Sequence, residues 1–338
     1  CISEIWSAPI TPQTAEQIAL EQLGLPKPTR SGGRLALLYT SSGRPTRSES
    51  GNQDFYVFGN RDGAGYVVVA GDDIVPPVLG YSLTGSFPTN DLPPELQSWL
   101  ASYAQWVRSA RATETVQQGL VREPNLVVTP LLKGLIWDQD APYNLQTPII
   151  GGKHAPTGCV ATAVAQIMRY FCWPLRAKGV VQNLPNFGQE PYDWKHMPNI
   201  CRTDAAQEVC NAVSRLMRDV GYACNMKYGA DESGAYAYDA YLALINHFDY
   251  APSLRFVEQK YYTWADWQKL LISELRAARP IYYGGTSGPG AQGGHAFVCD
   301  GYDGNGYFHF NFGWSGLANG YYLITNILPT SFGIGAGP

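Results

Sequence analysis

A polar stretch at residues 112–126 constrains the fold more than any other feature, because it divides the sequence into two parts of different character. It reads ATETVQQGLVREPNL, shows no apolar periodicity and contains Gly119 and Pro124. Such a composition is typical of an exposed linker that proteases can reach. At roughly 100–200 residues per domain, a chain of 338 residues suits two domains. We therefore predict one domain over residues 1–122 and a second over residues 123–338.

The first part carries the signals of a small α+β domain. Thr11 and Pro12 form an N-cap followed by a first-turn proline, which predicts that a helix begins there. Residues 54–58 and 65–70 flank a glycine-containing turn and are typical of a β-hairpin. A second amphipathic helix is indicated by apolar residues spaced three and four apart, namely Leu96, Trp99, Leu100, Tyr103 and Val107.

The second part is helical first and β-rich afterwards. The clearest helix covers residues 159–171, with an apolar stripe that Pro174 ends. Further helices fit residues 204–219, 236–247 and 264–277, and strands fit residues 281–284, 295–300, 307–311 and 320–324. A helical half that faces an antiparallel β half, with a groove between them, is an α+β arrangement.

Cys159 stands where a glycine-containing loop enters the predicted helix over residues 159–171. A cysteine in the first helical turn meets unpaired backbone N–H groups and the positive end of the helix dipole, and both favour the thiolate. The preceding Gly158 leaves a substrate carbonyl room to approach. The same pattern also fits an inert buried cysteine, which is the common state of this residue. Cys159 is therefore a candidate nucleophile.

Three other residues could complete a catalytic set around Cys159. His295 follows two glycines at the start of a strand, where an open imidazole could act as general base. Asn311 ends a later strand and could fix the tautomer of that imidazole, with Trp314 covering the contact. Gln139 could donate to the oxyanion together with the Cys159 backbone N–H. Each residue alone also fits a structural role, so the support for a catalytic set comes from the order Gln, Cys, His, Asn along the chain.

Composition argues against several other classes of function. Charged residues make up 15% of the chain, the formal net charge is −4, and no Lys/Arg cluster suggests a nucleic-acid partner. No apolar run approaches the ~18 residues of a membrane span. No Cys/His cluster has zinc-site spacing, so we expect neither a metal nor another cofactor.

The seven cysteines are too few for a disulfide scaffold in a chain of this length. Cys201, Cys210 and Cys224 are close in sequence, which leaves a bridge among them open without assigning it. Cys1 is compatible with a lipid anchor and equally with a simple chain boundary.

The chain resembles the streptopain-like cysteine proteases, the peptidase C10 family of papain-like fold. The resemblance rests on HAPTGCVATAVAQIM at residues 154–168, GGHAFV at 293–298, DGYDG at 300–304 and NFGWSG at 311–316. It implies a secreted or surface cysteine endopeptidase that cleaves proteins or peptides. A bulky apolar residue two positions before the cut is the preference that the resemblance implies.

The resemblance also covers the first part of the chain. GYVVVAGDD at residues 65–73 and VLGYS at 78–82 are similar to the inhibitory propeptide of the family. Residues 1–122 would then be a prodomain that inhibits its own protease within a zymogen. Val121-Arg122 followed by Glu123 is the expected site of self-cleavage.

Four residues are expected to bind substrate. The segment that matches the family's pocket contains Ser233 and Gly234, and Ser233 is carried over as a backbone contact. Gly294 and Trp314, on either side of the catalytic groove, complete the expected set. The chain departs from the family pattern at Phe312, where a tryptophan is usual. Residues 333–338 are similar to a glycine-rich loop before a last strand, so we expect the C-terminus to be truncated.

Two alternatives remain open from the sequence. An acyl transferase or amidase could use the same dyad on a non-protein amine. A catalytically silent binding or adhesion module could also use a protease fold. The presence of Gln139, Cys159, His295 and Asn311 argues against the silent module.

Overall fold

A computed structural model describes most of the chain and contains both helices and strands. The described residues are 7–26, 35–45, 53–60, 63–89, 92–114, 120–286, 294–324 and 331–335. Six α-helices lie within them: α1 (Pro12–Gln22), α2 (Pro94–Thr113), α3 (Cys159–Phe171), α4 (Gln207–Ala223), α5 (Ala237–His247) and α6 (Trp264–Arg276).

The strands fall into one large antiparallel sheet and two short pairs. In chain order they are β1 (Leu35–Thr40), β2 (Phe55–Asn60), β3 (Tyr66–Ala70), β4 (Val78–Ser82), β5 (Ile149–Ile150), β6 (Lys153–His154), β7 (Lys227–Tyr228), β8 (Ser233–Gly234), β9 (Arg255–Glu258), β10 (Ile281–Thr286), β11 (Gly294–Tyr302), β12 (Tyr307–Asn311), β13 (Gly320–Leu323) and β14 (Ser331–Gly335). The large sheet has the order β1-β2-β3-β4-β13-β12-β11-β10-β14-β9. It therefore runs without a break from the first part of the chain into the second.

The N-terminal end of the sheet is covered on both faces. Because side chains alternate along a strand, Phe55 and Val57 pack towards α2, whereas Tyr56 and Phe58 pack towards α1. The predicted start of α1 is confirmed, since the Thr11 side chain accepts a hydrogen bond from the Thr14 N–H. The predicted hairpin is likewise confirmed, since β2 pairs antiparallel with β3.

The helical half of the second part is built around α3. Residues 160–168 of this helix are all buried, and α4 and α5 pack against it together with Ala296 and Val298 of β11. Because these nine consecutive residues are buried, every side of this part of the helix is covered by other elements. This packing places the first turn of α3 beside the strand that carries His295.

Two expectations from the sequence are wrong. Helix α2 continues to Thr113, so the expected linker over 112–126 does not begin at residue 112. Residues 120–128 are exposed or partly buried and are also held by backbone hydrogen bonds, because Val128 pairs with Tyr302 and the Glu123 N–H donates to the Gly304 carbonyl. Residues 115–119 of the expected linker lie outside the described residues. Residues 331–335, which overlap the expected glycine-rich loop, form β14 and pair with β9 and β10.

Candidate active site

Cys159 is the first residue of α3, and its side chain is half-buried. The N-cap residue is Gly158, whose φ is 83° and which offers no side chain to cap the helix. A Cβ at Gly158 would lie 2.7 Å from the Met226 Sδ and 2.8 Å from the Ser233 carbonyl oxygen. Glycine is therefore required for both its backbone angle and its close contacts. No side chain caps the N–H groups of the first turn of α3, which begins at Cys159.

His295 lies at the start of β11, buried among aromatic rings. Its ring stacks on Trp314 with centroids 4.5 Å apart and an angle of 18° between the planes. Phe297 and Phe312 stack on it less closely. The Nε2–H donates to the Phe312 carbonyl oxygen at 3.0 Å, whereas the buried Nδ1 has no hydrogen-bond partner among the described residues. Since a carbonyl can only accept, the proton is on Nε2, and Nδ1 keeps the lone pair that a general base needs.

Burial controls the protonation of this imidazole. Removal from water lowers the pKa of His295 to about 3, against the opposing effect of its bond to the Phe312 carbonyl. No carboxylate among the described residues offsets the effect of burial. His295 is therefore neutral at every pH near neutrality in this structure.

The two segments that carry Cys159 and His295 meet in one core. Helix α3 packs across β11, and Val160 of the helix shares a cluster with Ala296, the residue after His295. Tyr282, on the neighbouring strand β10, is close enough to Cys159 that the thiolate charge adds to burial in raising the pKa of this tyrosine. The expected meeting of these two distant segments is present.

Asn311 makes contacts that differ from the expected ones. Its Nδ2 donates to the Leu135 carbonyl oxygen, and its Oδ1 accepts from the Gly313 N–H at 3.1 Å. The described contacts include no hydrogen bond from Asn311 to His295. The backbone carbonyl of Phe312 bonds to the imidazole instead, and a backbone group leaves no signal in a sequence.

Gln139 is joined to the nucleophile loop through its backbone. Its backbone carbonyl accepts a hydrogen bond from the Thr157 N–H at 2.9 Å. Thr157 lies two residues before Cys159 in the loop that leads into α3. Asp138 next to it accepts from the Ser315 hydroxyl, which links this segment to the turn that holds Trp314. Asp138 and Ser315 were not singled out from the sequence, because nothing in their spacing indicates that they meet.

The expected substrate residues occupy different positions. The Ser233 carbonyl lies against Gly158, beside the nucleophile, and Gly234 is exposed with open space above its Cα. Gly294 is exposed at the first position of β11, and Trp314 is buried against His295. Met226, which sequence reasoning missed, contacts Gly158 from the same side as Ser233.

A tryptophan from the first part of the chain packs on the aromatic rings around His295. Trp99 of α2 makes edge contacts with Phe297, Phe310 and Phe312, with centroids 5.4 to 5.9 Å apart. Two of these three rings are the ones that stack on the imidazole. Trp99 was expected in an apolar stripe, but the sequence did not indicate which surface this stripe covers.

Comparison with known proteins gives consistent matches along the chain. Residues 137–322 match the Peptidase C10 family, and residues 7–107 match the Spi protease inhibitor family. Streptopain from Streptococcus pyogenes is 34% identical over 86% of this chain and 78% of its own length. The Thiol protease/hemagglutinin PrtT of Porphyromonas gingivalis is 33% identical over the whole chain, which spans 41% of the length of PrtT.

Two solved structures from Prevotella intermedia are similar in fold. A prointerpain A fragment matches 88% of this chain and 97% of its own, with a TM-score of 0.75 and 29% identity. Active interpain A cysteine protease matches 64% of this chain and 98% of its own, with a TM-score of 0.58 and 32% identity. The match to the pro-form thus extends over more of the chain than the match to the active enzyme.

Proposed function

The chain belongs to the peptidase C10 family of cysteine proteases, and from this we propose that it is a zymogen whose nucleophile is Cys159 and whose general base is His295. The observation that carries the proposal is the packing of α3 on β11. It brings a cysteine at a helix N-terminus to the strand whose histidine has a buried Nδ1, and this nitrogen has no hydrogen-bond partner in the described part of the chain. Matching of residues 7–107 to a protease inhibitor family supports the zymogen.

The chemistry follows from the roles of these groups. In the active enzyme His295 takes the proton of the Cys159 thiol on Nδ1, and the resulting thiolate attacks the scissile carbonyl carbon. The Cys159 N–H and the Gln139 side chain stabilise the oxyanion. His295 protonates the departing amine as the C–N bond breaks, which leaves a thioester. The imidazole then removes a proton from water, which attacks the thioester and releases the acid and the thiol. We propose that Asn311 orients His295 once the prodomain has left.

The burial of His295 supports latency in the intact chain. A thiolate–imidazolium pair needs an imidazole that holds a proton near neutral pH, and burial lowers the pKa of His295 to about 3. Trp99 packs on the rings that bury it. Removal of α2 with the rest of the prodomain would loosen these rings and let water reach the imidazole.

We propose that activation cuts the chain between the prodomain and the protease, near residue 122. Arg122 and Glu123 are not loosely held, because the Tyr302 hydroxyl donates to the Val121 carbonyl at 2.7 Å and Glu123 forms an ion pair with Arg276 at 2.6 Å. The segment has to detach from the β11–β12 turn before this bond can be cleaved.

Substrate preference and location are also part of the proposal. The thioether of Met226 beside Gly158 and the Ser233 carbonyl supports an apolar pocket and a backbone contact for the substrate residues before the cut. We expect proteins or peptides with a bulky apolar residue two positions before the cut as substrates. None of the described helices is long and apolar enough to span a bilayer. Secretion or surface display is proposed from the family, and Cys1 lies outside the described residues.

The proposal is tested by alkylation before and after limited proteolysis. An epoxide that alkylates active-site thiols is expected to modify Cys159 only after the prodomain is removed. Casein hydrolysis by Cys159→Ala is expected to fall at least about a thousandfold. Cys172→Ala is the matched control, because Cys172 is an exposed thiol at the other end of α3 and should leave hydrolysis unchanged. Undiminished hydrolysis by Cys159→Ala would show that the nucleophile is another residue.

A further inference from the structure

Two cysteines outside the active site meet at the start of α4. Cys201 precedes this helix and Cys210 lies in its first turns, and the two residues are 5% and 4% exposed. The Arg202 carbonyl oxygen lies 3.9 Å from the Cys201 sulfur and 4.0 Å from the Cys210 sulfur, and the Cys210 sulfur is 3.6 Å from the Ala205 carbonyl oxygen. Burial and then the neighbouring Cys210 raise the pKa of the Cys201 thiol. Their sulfurs therefore share one small enclosed space.

The structure separates these two cysteines from Cys224, which the sequence left as an equal candidate. Cys224 follows the last residue of α4, and Cys210 is near its first residue. At 1.5 Å per residue the helix holds them about 20 Å apart, far beyond the reach of a disulfide. Cys224 is also completely buried. Among the three, Cys201 and Cys210 are the pair that can bond.

We propose that Cys201 and Cys210 form a structural disulfide when the chain folds in contact with a small-molecule disulfide such as oxidised glutathione. One thiolate attacks a sulfur of the oxidant, which forms a mixed disulfide and releases one glutathione thiolate. The second cysteine thiolate attacks the mixed disulfide, which forms the Cys201–Cys210 bond and releases the second glutathione. The two cysteines lose two electrons and two protons, and the oxidant is reduced to two thiols.

Burial makes this bond compatible with a catalytic cysteine that must stay reduced. Burial, together with the neighbouring Cys210, raises the pKa of the Cys201 thiol to about 12. The folded pair therefore reacts slowly, and oxidation occurs while the segment before α4 is still open. The half-buried Cys159 lies at another helix end, so mild reductant can reach it without breaking the buried bond.

The bridge would brace the segment that carries Gln139. Residues 198–201 accept from the Trp137 indole N–H at 2.9 Å and from the Ile136 N–H at 3.0 Å, and the Cys201 N–H donates to the Tyr143 hydroxyl. A bond from Cys201 to Cys210 would attach residues 198–201 covalently to α4, which is a helix of the core. This consequence rests on the proposed role of Gln139, whereas the bond itself does not.

Peptide mapping tests the bond independently of proteolysis. The full chain carrying Cys159→Ala is refolded with oxidised and reduced glutathione, and the remaining thiols are alkylated under denaturing conditions without reductant. Trypsin cuts after Arg202 and so separates the two cysteines onto the peptides 196–202 and 203–215. We expect these peptides to be linked, two hydrogen masses lighter than their sum, and to separate on reduction. Recovery of both peptides alkylated and unlinked, or either one linked to the Cys224 peptide, would overturn the proposal.

Thermal unfolding supplies a second measurement. The oxidised chain should melt a few degrees above the same chain kept reduced, because the bond restricts the unfolded state. Cys201→Ala and Cys210→Ala should each abolish this difference, and Cys172→Ala should retain it. A difference that persists in Cys201→Ala would contradict the assignment.

Discussion

At the scale of single residues, the environment of His295 determines whether its imidazole is charged. The imidazole is enclosed by Phe297, Phe312 and Trp314, and its one hydrogen bond among the described residues goes to a backbone carbonyl. An aromatic enclosure disfavours the charged imidazole without a clash or a blocking ion pair. Exclusion of water from the imidazole is thus sufficient to keep His295 uncharged in the intact chain.

This enclosure predicts that acid destabilises the intact chain through His295. The folded pKa of about 3 lies below the unfolded value near 6.5, so the unfolded state binds more protons between these two values. The contribution of neutral His295 to the free energy of unfolding is fully present above about pH 6.5. It is lost as the pH falls towards 3, and the total loss is a few kcal/mol. Urea unfolding of the Cys159→Ala chain at pH 7 and pH 4.5 measures the loss.

His295→Gln in the same background is the control for that measurement. Glutamine retains an amide N–H for the Phe312 carbonyl but does not titrate, so the difference in unfolding free energy between the two pH values should shrink. An equal pH dependence in both chains would mean that carboxylates, and not His295, govern the acid response.

At the scale of elements, α2 is the part of the prodomain that reaches the site. Trp99 packs on the rings of β11 and β12, whereas Trp106 is buried on the same helix without a ring contact to β11 or β12 among the described residues. Both side chains are buried in the same cluster, but of the two it is Trp99 whose ring contacts the described rings that stack on His295. The two residues are therefore a matched pair for separating stability from latency.

Trp99→Ala is expected to destabilise the intact chain by about 3–5 kcal/mol and to increase its hydrolysis of a peptide substrate before cleavage. Trp106→Ala should destabilise it by a similar amount with less effect on hydrolysis. The measurement is the initial rate of the uncut chain, with gel analysis to exclude cleavage during the assay. Equal rates in the two variants would show that general loosening, and not the contact of Trp99, releases activity.

The helices and strands also show which parts of the fold could be predicted from the sequence. Local signals sufficed for α1 with its Thr11 cap and for α3 with its buried stripe, since caps and periodicity act within a few residues. The order Gln, Cys, His, Asn and the family motifs led to the site residues. The pairing of β4 with β13 could not be predicted, because strand pairing between distant segments depends on the whole fold. The hydrogen bond between His295 and the Phe312 carbonyl could not be predicted either, because every residue has a backbone carbonyl and the sequence does not show which one accepts.

At the scale of the whole molecule, inhibitor and protease are joined by a shared sheet. Tyr81 and Gly80 of β4 pair with Tyr321 and Tyr322 of β13. Tyr81 also stacks on the Tyr321 ring at 5.3 Å and donates from its hydroxyl to the Asp303 carboxylate at 3.0 Å. Burial and Asp303 raise the pKa of Tyr81, so the phenol keeps the proton that it donates. Separation of the two parts therefore leaves β13 as an unpaired edge.

This junction predicts that one hydroxyl group contributes to the affinity between the nicked halves. Tyr81→Phe removes the bond to Asp303 and should raise the dissociation constant of the nicked Cys159→Ala chain by roughly ten- to a hundredfold, because a hydrogen bond to a charged group contributes about 1.5–3 kcal/mol. Tyr56→Phe is the matched control, since its hydroxyl donates to the Ile10 carbonyl within the first part. It should lower the stability of that part without weakening its attachment. If both substitutions weakened binding equally, stability of the prodomain would govern its release, and the shared sheet edge would not.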